Sequence, residues 1–417
     1  MDNFLKMCNR PEYHIALVGA IKAGKSTLIN ALLDEDLAST SVTPETASLT
    51  KFRSSSKANY IKIHFYTTQE WNTLWESVKD ARAEVFLQEY KELKADEEKG
   101  MWLNHKVIYK EFNDLVALKE EIKVWTSSQV AAHYFVKEVE VGLVDFQMPE
   151  EVVFVDTPGL DDPVRYRSDI TKEYISRANA VFVCVKSDAL TGPELETLYK
   201  VFANCRFNEE KVYVIGTQID ALNNPTEDWM KQRQEWLKHL SQKECYQTQE
   251  LANQNIIGVA SYLYNNCQRY LKFNDTSDQT QLMIAAIKFL KGQGKVDEEV
   301  TLQLIKESNI PLFKEMIQKE IIGQYKSLIK LDFKKQFDLL AEEIRYFLTE
   351  VKATEEEVLR LSEATLAELD EVLQQELEVV EATKIEVKEI EMLLNQVKIL
   401  SKKQANEIYK QLKEIKF

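Results

Sequence analysis

Tyr13-His14-Ile15-Ala16-Leu17-Val18-Gly19-Ala20-Ile21-Lys22-Ala23-Gly24-Lys25-Ser26-Thr27-Leu28-Ile29-Asn30-Ala31-Leu32-Leu33 decides the fold. Six residues of apolar run read as a buried strand, the Gly-bearing turn follows, and Ser26 to Leu33 reads as a helix. Between strand and helix, Gly19 to Ser26 fits G-x-x-x-x-G-K-[ST]. That placement gives the motif mechanical meaning: the glycines let the backbone curl so that its N–H groups and the helix N-terminus surround phosphate oxygens. Lys25 reaches the β- and γ-phosphates, and Ser26 offers its hydroxyl to Mg²⁺. Further apolar runs at Val152–Val155, Ala180–Val185, Val212–Ile215 and Ile256–Ala260 alternate with polar helical stretches. A mostly parallel sheet with crossover helices requires that alternation, which predicts an α/β domain over residues 10–320.

Each later run ends on chemistry. Asp156-Thr157-Pro158-Gly159 closes the Val152–Val155 strand, so Asp156 is expected at the carboxyl edge of the sheet, holding Mg²⁺, with the Gly159 N–H toward the γ-phosphate. Thr217-Gln218-Ile219-Asp220 resembles the guanine-reading [NT]-K-x-D motif, with Asp220 accepting from the base and Gln218 standing where a lysine is usual. Ser261, after Ile256–Ala260, stands where a backbone N–H meets guanine O6. Upstream, Thr43 and Thr46 compete for the second hydroxyl on Mg²⁺, with Thr46 preferred.

Composition bounds the alternatives. The 417 residues suffice for two or three folded units. With 53 Lys and Arg against 68 Asp and Glu, the net charge of −15 disfavours a nucleic-acid partner. Five scattered cysteines without C-x-x-C spacing suggest neither disulfides nor a zinc site, and point to the cytoplasm. Neither a signal peptide nor a run of eighteen apolar residues is present.

Two stretches stand apart. Thr68–Lys99 and Lys106–Trp125 read as helical, and Trp71, Trp75, Trp102 and Trp125 are expected to pack this insertion onto the sheet. Residues 324–417 lack Gly and Pro, and apolar residues step by three and four through Phe337, Leu340, Ile344, Phe347 and Val351, then from Leu366 to Val380 and from Ile390 to Val397. One straight helix there would span about 140 Å, so either a fold-back, with Thr354 opening a new helix, or a continuous helix is expected.

The motif order, together with T-P-E-T-A at Thr43–Ala47, V-D-T-P-G-L-D-D-P at Val155–Pro163 and S-N-I-P-L-F at Ser308–Phe313, resembles the bacterial dynamin-like GTPases. The resemblance implies a P-loop GTPase domain over residues 1–320, with a helical insertion at about 67–130, and an all-α, coiled-coil-like neck and trunk over 321–417. It implies GTP/GDP and Mg²⁺ as ligands. Gly19, Lys22, Ala23, Gly24, Lys25, Ser26 and Thr27 then lie on the phosphates, Thr217, Gln218, Asp220, Ala260 and Ser261 on the base, and Ser26, Thr46 and Asp156 on the metal. Catalysis falls to Lys22, Lys25, Thr46 and Gly159. Lys22 occupies the loop position where guanylate-binding proteins carry an arginine acting in cis. It is either that cation or a solvated side chain, and Arg165 and Arg167 are either cations acting in trans or surface charge. Leu160 departs from the water-orienting Gln of small GTPases. Pairing of GTPase domains into a homodimer, or a hetero-oligomer with another dynamin-like protein, is implied, as is membrane remodelling from a peripheral place at the inner face of the cell membrane. No apolar tip of the kind that enters bilayers is evident, so a shortened chain and a partner-borne membrane element stay open. The alternative function is a nucleotide-gated scaffold that hydrolyses weakly.

Overall fold

The computed structural model describes residues 12–38, 49–126, 130–160, 165–188, 190–205, 208–292, 294–363 and 366–414. Cys8, Thr43 and Thr46 lie outside them, as do the side chains of Arg165 and Arg167. The chain divides into two compact units, Met1–Lys334 and Lys335–Phe417.

The first unit runs β1 (Tyr13–Val18), α1 (Lys25–Leu33), β2 (Leu49–Ser54), β3 (Asn59–Phe65), α2 (Thr68–Asp80), α3 (Glu84–Glu92), α4 (Ala95–Trp102), β4 (Ile108–Phe112) and α5 (Leu115–Thr126). It continues with β5 (Val136–Leu143), β6 (Val152–Asp156), α6 (Arg165–Arg177), β7 (Ala180–Lys186), α7 (Gly192–Asn204), β8 (Val212–Thr217), α8 (Pro225–Leu240), α9 (Gln249–Asn255) and β9 (Ile256–Gly258). Then come α10 (Ser261–Phe273), α11 (Gln279–Leu290), α12 (Glu298–Glu307), α13 (Ile310–Met316), a π-helical turn (Ile317–Ile322) and the start of α14 (Tyr325–Glu363). The second unit holds the rest of α14 and α15 (Leu366–Glu414).

The nine strands form one sheet in the order β4-β3-β5-β2-β6-β1-β7-β8-β9. From β6 to β9 every neighbour is parallel, while β2 runs antiparallel to β6 and β3 antiparallel to both β4 and β5. The fold is therefore α/β with a mostly parallel sheet, followed by helix. Successive side chains of a strand point to opposite faces, and the core divides accordingly. Ile15, Leu17, Phe154 and Phe182 pack on one face with Leu28 of α1 and Phe313 of α13. Ala16, Val18, Val155 and Val183 pack on the other with Ile175 of α6, Leu198 of α7 and Trp236 of α8.

The insertion is not wholly helical. Lys106–Trp125, expected as one helix, supplies edge strand β4 and then α5, because Tyr60, Lys62 and their neighbours on β3 offer an open sheet edge with which Ile108–Phe112 pairs. The tryptophans pack as expected: Trp71 is fully buried against Phe135 at 4.8 Å between ring centroids, and Trp102 stacks on Phe65 at 5.3 Å. α2 begins with a full capping box between Thr67 and Glu70. Thr354 opens no helix: it lies inside α14, and its hydroxyl donates to the Glu350 carbonyl one turn back. Among the described residues, no helix is long and apolar enough to cross a membrane.

Two glycines make a test of these contacts. A Cβ on Gly142 of β5 would stand 2.0 Å from the Tyr60 ring, whereas one on Gly100 of α4 would meet nothing within 4 Å. Chemical denaturation should find Gly100→Ala more stable by about 0.5–1 kcal/mol, through reduced backbone entropy in a helix, and Gly142→Ala less stable by about 1–3 kcal/mol.

Candidate functional site

The carboxyl ends of β6, β1, β7 and β8 lie side by side, with Leu17 opposite Asp156, Val18 opposite Val183 and Lys186 opposite Thr217. The residues that follow these strands make the site. The loop after β1 turns at Gly19, whose φ is 151°, and a Cβ there would come within 2.4 Å of the Cys184 carbonyl oxygen on β7. Gly24, left-handed at φ 85°, caps the N-terminus of α1. This bends the loop around the helix end, where unpaired N–H groups and the helix dipole favour an anion.

Lys25 Nζ donates to the carbonyls of Gly19 and Ala20, each at 3.0 Å, which holds the ammonium inside the loop. Ser26 Oγ donates to Asp156 Oδ2 at 3.0 Å, so the α1 hydroxyl and the β6 carboxylate meet across 130 residues of sequence. Gly159 lies against the loop: its Cβ position is 3.5 Å from Ile21 Cγ1 and 3.8 Å from the Gly19 carbonyl. The Thr157 hydroxyl donates to the Leu17 carbonyl at 2.8 Å and fixes the strand end between Asp156 and Gly159.

The strand end assigned to the base is tied to the phosphate loop twice. Thr217 Oγ1 donates to the Ala23 carbonyl at 2.8 Å, and Gln218 Nε2 donates to the Lys22 carbonyl at 3.0 Å. The Thr27 carbonyl accepts from Asn265 of α10 at 3.1 Å. Lys22 itself is exposed and left-handed at φ 63°. The Ala260 N–H donates to the Ser308 carbonyl at 2.9 Å, and Ser261 follows as the first residue of α10.

Four buried side-chain oxygens at these strand ends have no hydrogen-bond partner among the described residues: Asp156 Oδ1 after β6, Ser187 Oγ after β7, Asp220 Oδ1 after β8 and Ser261 Oγ after β9. Buried polar atoms are nearly always paired, and these four oxygens, unpaired among the described residues, lie along one edge. Burial pushes the Asp156 carboxyl up, with Lys25 and the Ser26 hydroxyl pulling it back down. Burial also pushes up the Asp220 carboxyl, against its own backbone N–H and then the Lys288 charge. Ser26 and Asp156 present a hydroxyl and a carboxylate, hard oxygen donors of the sort Mg²⁺ takes alongside water and phosphate. No cluster of three His, Cys, Asp or Glu gathers among the described residues.

Residues 15–200 match the model of the Dynamin family. Dynamin-like protein 1 of Campylobacter jejuni is 31% identical over 213 residues, which are 51% of this chain and 28% of that protein. An uncharacterised protein of a Caldicellulosiruptor species is 25% identical over 216 residues, 50% of this chain and 40% of that one. The similarity to the dynamin family therefore lies within the first unit, over residues 15–200. The chain spans under half the length of these curated relatives. Among solved structures, a chain from an oligomerised bacterial dynamin pair, described as a mechanism for long-range sensing and tethering of membranes, is 23% identical with a TM-score of 0.49. That likeness covers 99% of this chain and 62% of the other.

Two residues at this edge could not be found from any motif. Ser187 belongs to no motif; the only signal was its place at the end of a buried run. Lys288, whose Nζ donates to the Asp220 carbonyl at 3.2 Å, comes from α11, remote in sequence from every motif. Leu160, the residue after D-x-x-G, is buried in the core and offers no polar group to a water.

A carboxyl whose folded pKa is raised stabilises the fold while protonated, and that contribution is lost as the pH rises through the raised value. The ionised form of Asp156 is therefore a burden on the nucleotide-free domain. Asp156→Asn should raise its stability by about 1 kcal/mol, with the gain shrinking toward acid pH, and any Mg²⁺-dependent part of GTP affinity should disappear. Thermal melts across pH and titrations with and without Mg²⁺ check both halves.

Proposed function

We propose that this chain binds GTP with Mg²⁺ at the carboxyl edge of the sheet and hydrolyses it to GDP, faster when two GTPase domains pair. The observation that carries this is the row of unpartnered buried oxygens on Asp156, Asp220 and Ser261, bracketing a loop already curled around a helix N-terminus. Magnesium, when bound, would neutralise charge on the β- and γ-phosphate oxygens. The chain's own residues divide the remaining work. Loop N–H groups and Lys25 hold the triphosphate, with phosphate oxygens replacing the Gly19 and Ala20 carbonyls as acceptors for the ammonium. Ser26 and Asp156, joined by Thr46 from the first switch, would hold the metal. Gly159, lacking a side chain, lets its N–H approach the γ-phosphate. Asp220 accepts the two N–H donors on the guanine edge, and the Ser261 N–H meets O6.

Phosphoryl transfer is driven mainly by positioning and by neutralising spreading negative charge. Since Leu160 is buried, a cation is the better source of acceleration, and Lys22 is exposed on the loop beside the phosphates. In this mechanism domain pairing directs Lys22 onto the β/γ bridge. The hydrolysis cycle then moves the helical region, whose Phe337, Phe347, Leu373 and Leu377 are all at least half exposed and suited to assembly with a second copy or another dynamin-like protein. Membrane remodelling is the expected use of such an assembly. The buried Leu160 also favours a second function, a nucleotide-gated scaffold with weak hydrolysis. Single-turnover rates separate the two: pairing-stimulated catalysis rises with protein concentration, and a scaffold's rate stays flat.

Lys22→Ala should leave GTP affinity within about threefold and slow stimulated turnover by about tenfold or more, as expected for loss of a cation acting mainly in the transition state. Parallel binding and steady-state assays decide it; unchanged turnover assigns Lys22 to the solvent.

A further inference from the structure

Asp220 sits in a short 3₁₀ turn, Ile219–Ala221, with one carboxylate oxygen buried and unpartnered. Within the turn the Ala221 N–H donates to the Gln218 carbonyl and the Leu222 N–H to the Ile219 carbonyl, each at 3.0 Å, and Ile219 is buried. A further tie comes from α11, where Lys288 Nζ donates to the carbonyls of Asp220 at 3.2 Å and Ala221 at 3.5 Å. α11 reads Gln-Thr-Gln-Leu-Met-Ile-Ala-Ala-Ile-Lys-Phe-Leu, and Lys288 is its single ionisable residue. A lone cation on an otherwise neutral helix, aimed at the carbonyls of the turn, has no other ion pair to account for it among the described residues.

We infer that Lys288 is a positioning residue for base recognition, clamping the turn that carries Asp220 and supplying the positive charge beside which that carboxylate reads guanine. This rests on the assignment of Asp220 to the base. Guanine presents two adjacent donors, N1–H and the exocyclic amine, and only an ionised carboxylate offers two acceptors to match them. A protonated Asp220 would turn its O–H against N1–H, and would instead suit adenine, which presents an acceptor at N1 beside a donor at N6. Burial favours that protonated form, and the residue's own backbone N–H and then the Lys288 charge oppose it.

Other charges near the turn are accounted for. Glu227 in the first turn of α8 faces Lys291 at 3.5 Å, and Asp228 accepts the Asn224 N–H at 2.9 Å. Arg269 of α10 pairs with Asp278 at 2.8 Å, and Lys22 on the loop is exposed to solvent. Guanine affinity should therefore be present above the carboxyl's pKa, fall as the pH drops through it, and fall sooner when the Lys288 charge is gone.

The test titrates the full nucleotide-free chain with fluorescent GDP and fluorescent ADP between about pH 5 and pH 8, using wild type, Lys288→Met, Lys288→Gln and Lys288→Arg. Expected is an upward move in the midpoint of GDP affinity loss for both uncharged variants, with the GDP over ADP preference shrinking toward acid pH and Arg restoring both. A uniform loss of affinity at every pH, with the midpoint unmoved, would remove the charge role and so overturn the inference, leaving Lys288 a mechanical clamp alone. A wild type that binds ADP as tightly as GDP would instead overturn the guanine assignment itself, and circular dichroism of each variant shows whether a loss reflects unfolding.

Discussion

The Asp156 carboxylate is the constraint around which the rest of the first unit is arranged. It stands at the end of a strand buried on both faces, one oxygen held by Ser26 and the other without a partner among the described residues. An ionised group so placed is costly, and the fold keeps it there by surrounding it with rigid parts. β1 and β2 flank its strand, the Thr157 hydroxyl locks the residue after it, and Lys25 supplies the nearest opposite charge. Substituting Asn would relieve the burial and remove the anionic donor, so stability and ligand binding pull in opposite directions at one atom.

The same edge shows why motifs so distant in sequence could be recognised separately and yet act together. Parallel strands bring their carboxyl ends to one side, so residues following β1, β6, β7, β8 and β9 converge without any local contact between them. Two hydrogen bonds, Thr217 to Ala23 and Gln218 to Lys22, then join the end assigned to the base to the end assigned to the phosphates. Gln218 thus does something that its comparison with lysine did not suggest. Its amide reaches the loop backbone, so the shorter, uncharged side chain still fastens the two halves of the site.

What could be read from sequence follows burial. β1, β6, β7, β8 and β9 are buried on both faces and appear as uninterrupted apolar runs, so they were legible. β3 alternates and β4 is almost wholly exposed, with Tyr109, Lys110 and Glu111 at the sheet margin, and such strands carry too little hydrophobic signal to be told from an amphipathic helix. β2 and β5 are well buried but carry Lys51, Arg53, Lys137, Glu138 and Glu140, whose stems and ion pairs the pattern cannot anticipate. At the site, backbone roles escaped notice. Nothing in Ile256–Ser261 says that the Ala260 N–H is already taken by Ser308, and a solitary lysine in α11 resembles any surface lysine until the fold lays it on the Asp220 turn.

The scarcity of glycine has a consequence at this site. With 11 glycines in the chain, left-handed backbone falls mostly to other residues, and two of these are Lys22, at φ 63°, and Gln218, at φ 61°. Each such residue costs on the order of 1 kcal/mol or more unless its surroundings hold it. Here they hold each other, because the Gln218 amide donates to the Lys22 carbonyl. Glycine at either position would relax the backbone but remove the amide from one side or the cationic side chain from the other. The strain is therefore located where the phosphate loop meets the base-side turn, and a ligand touching both would find them already joined. That arrangement makes the spacing between the two ends a property of the folded chain rather than of the ligand, which is the condition for discriminating between bases of nearly equal size.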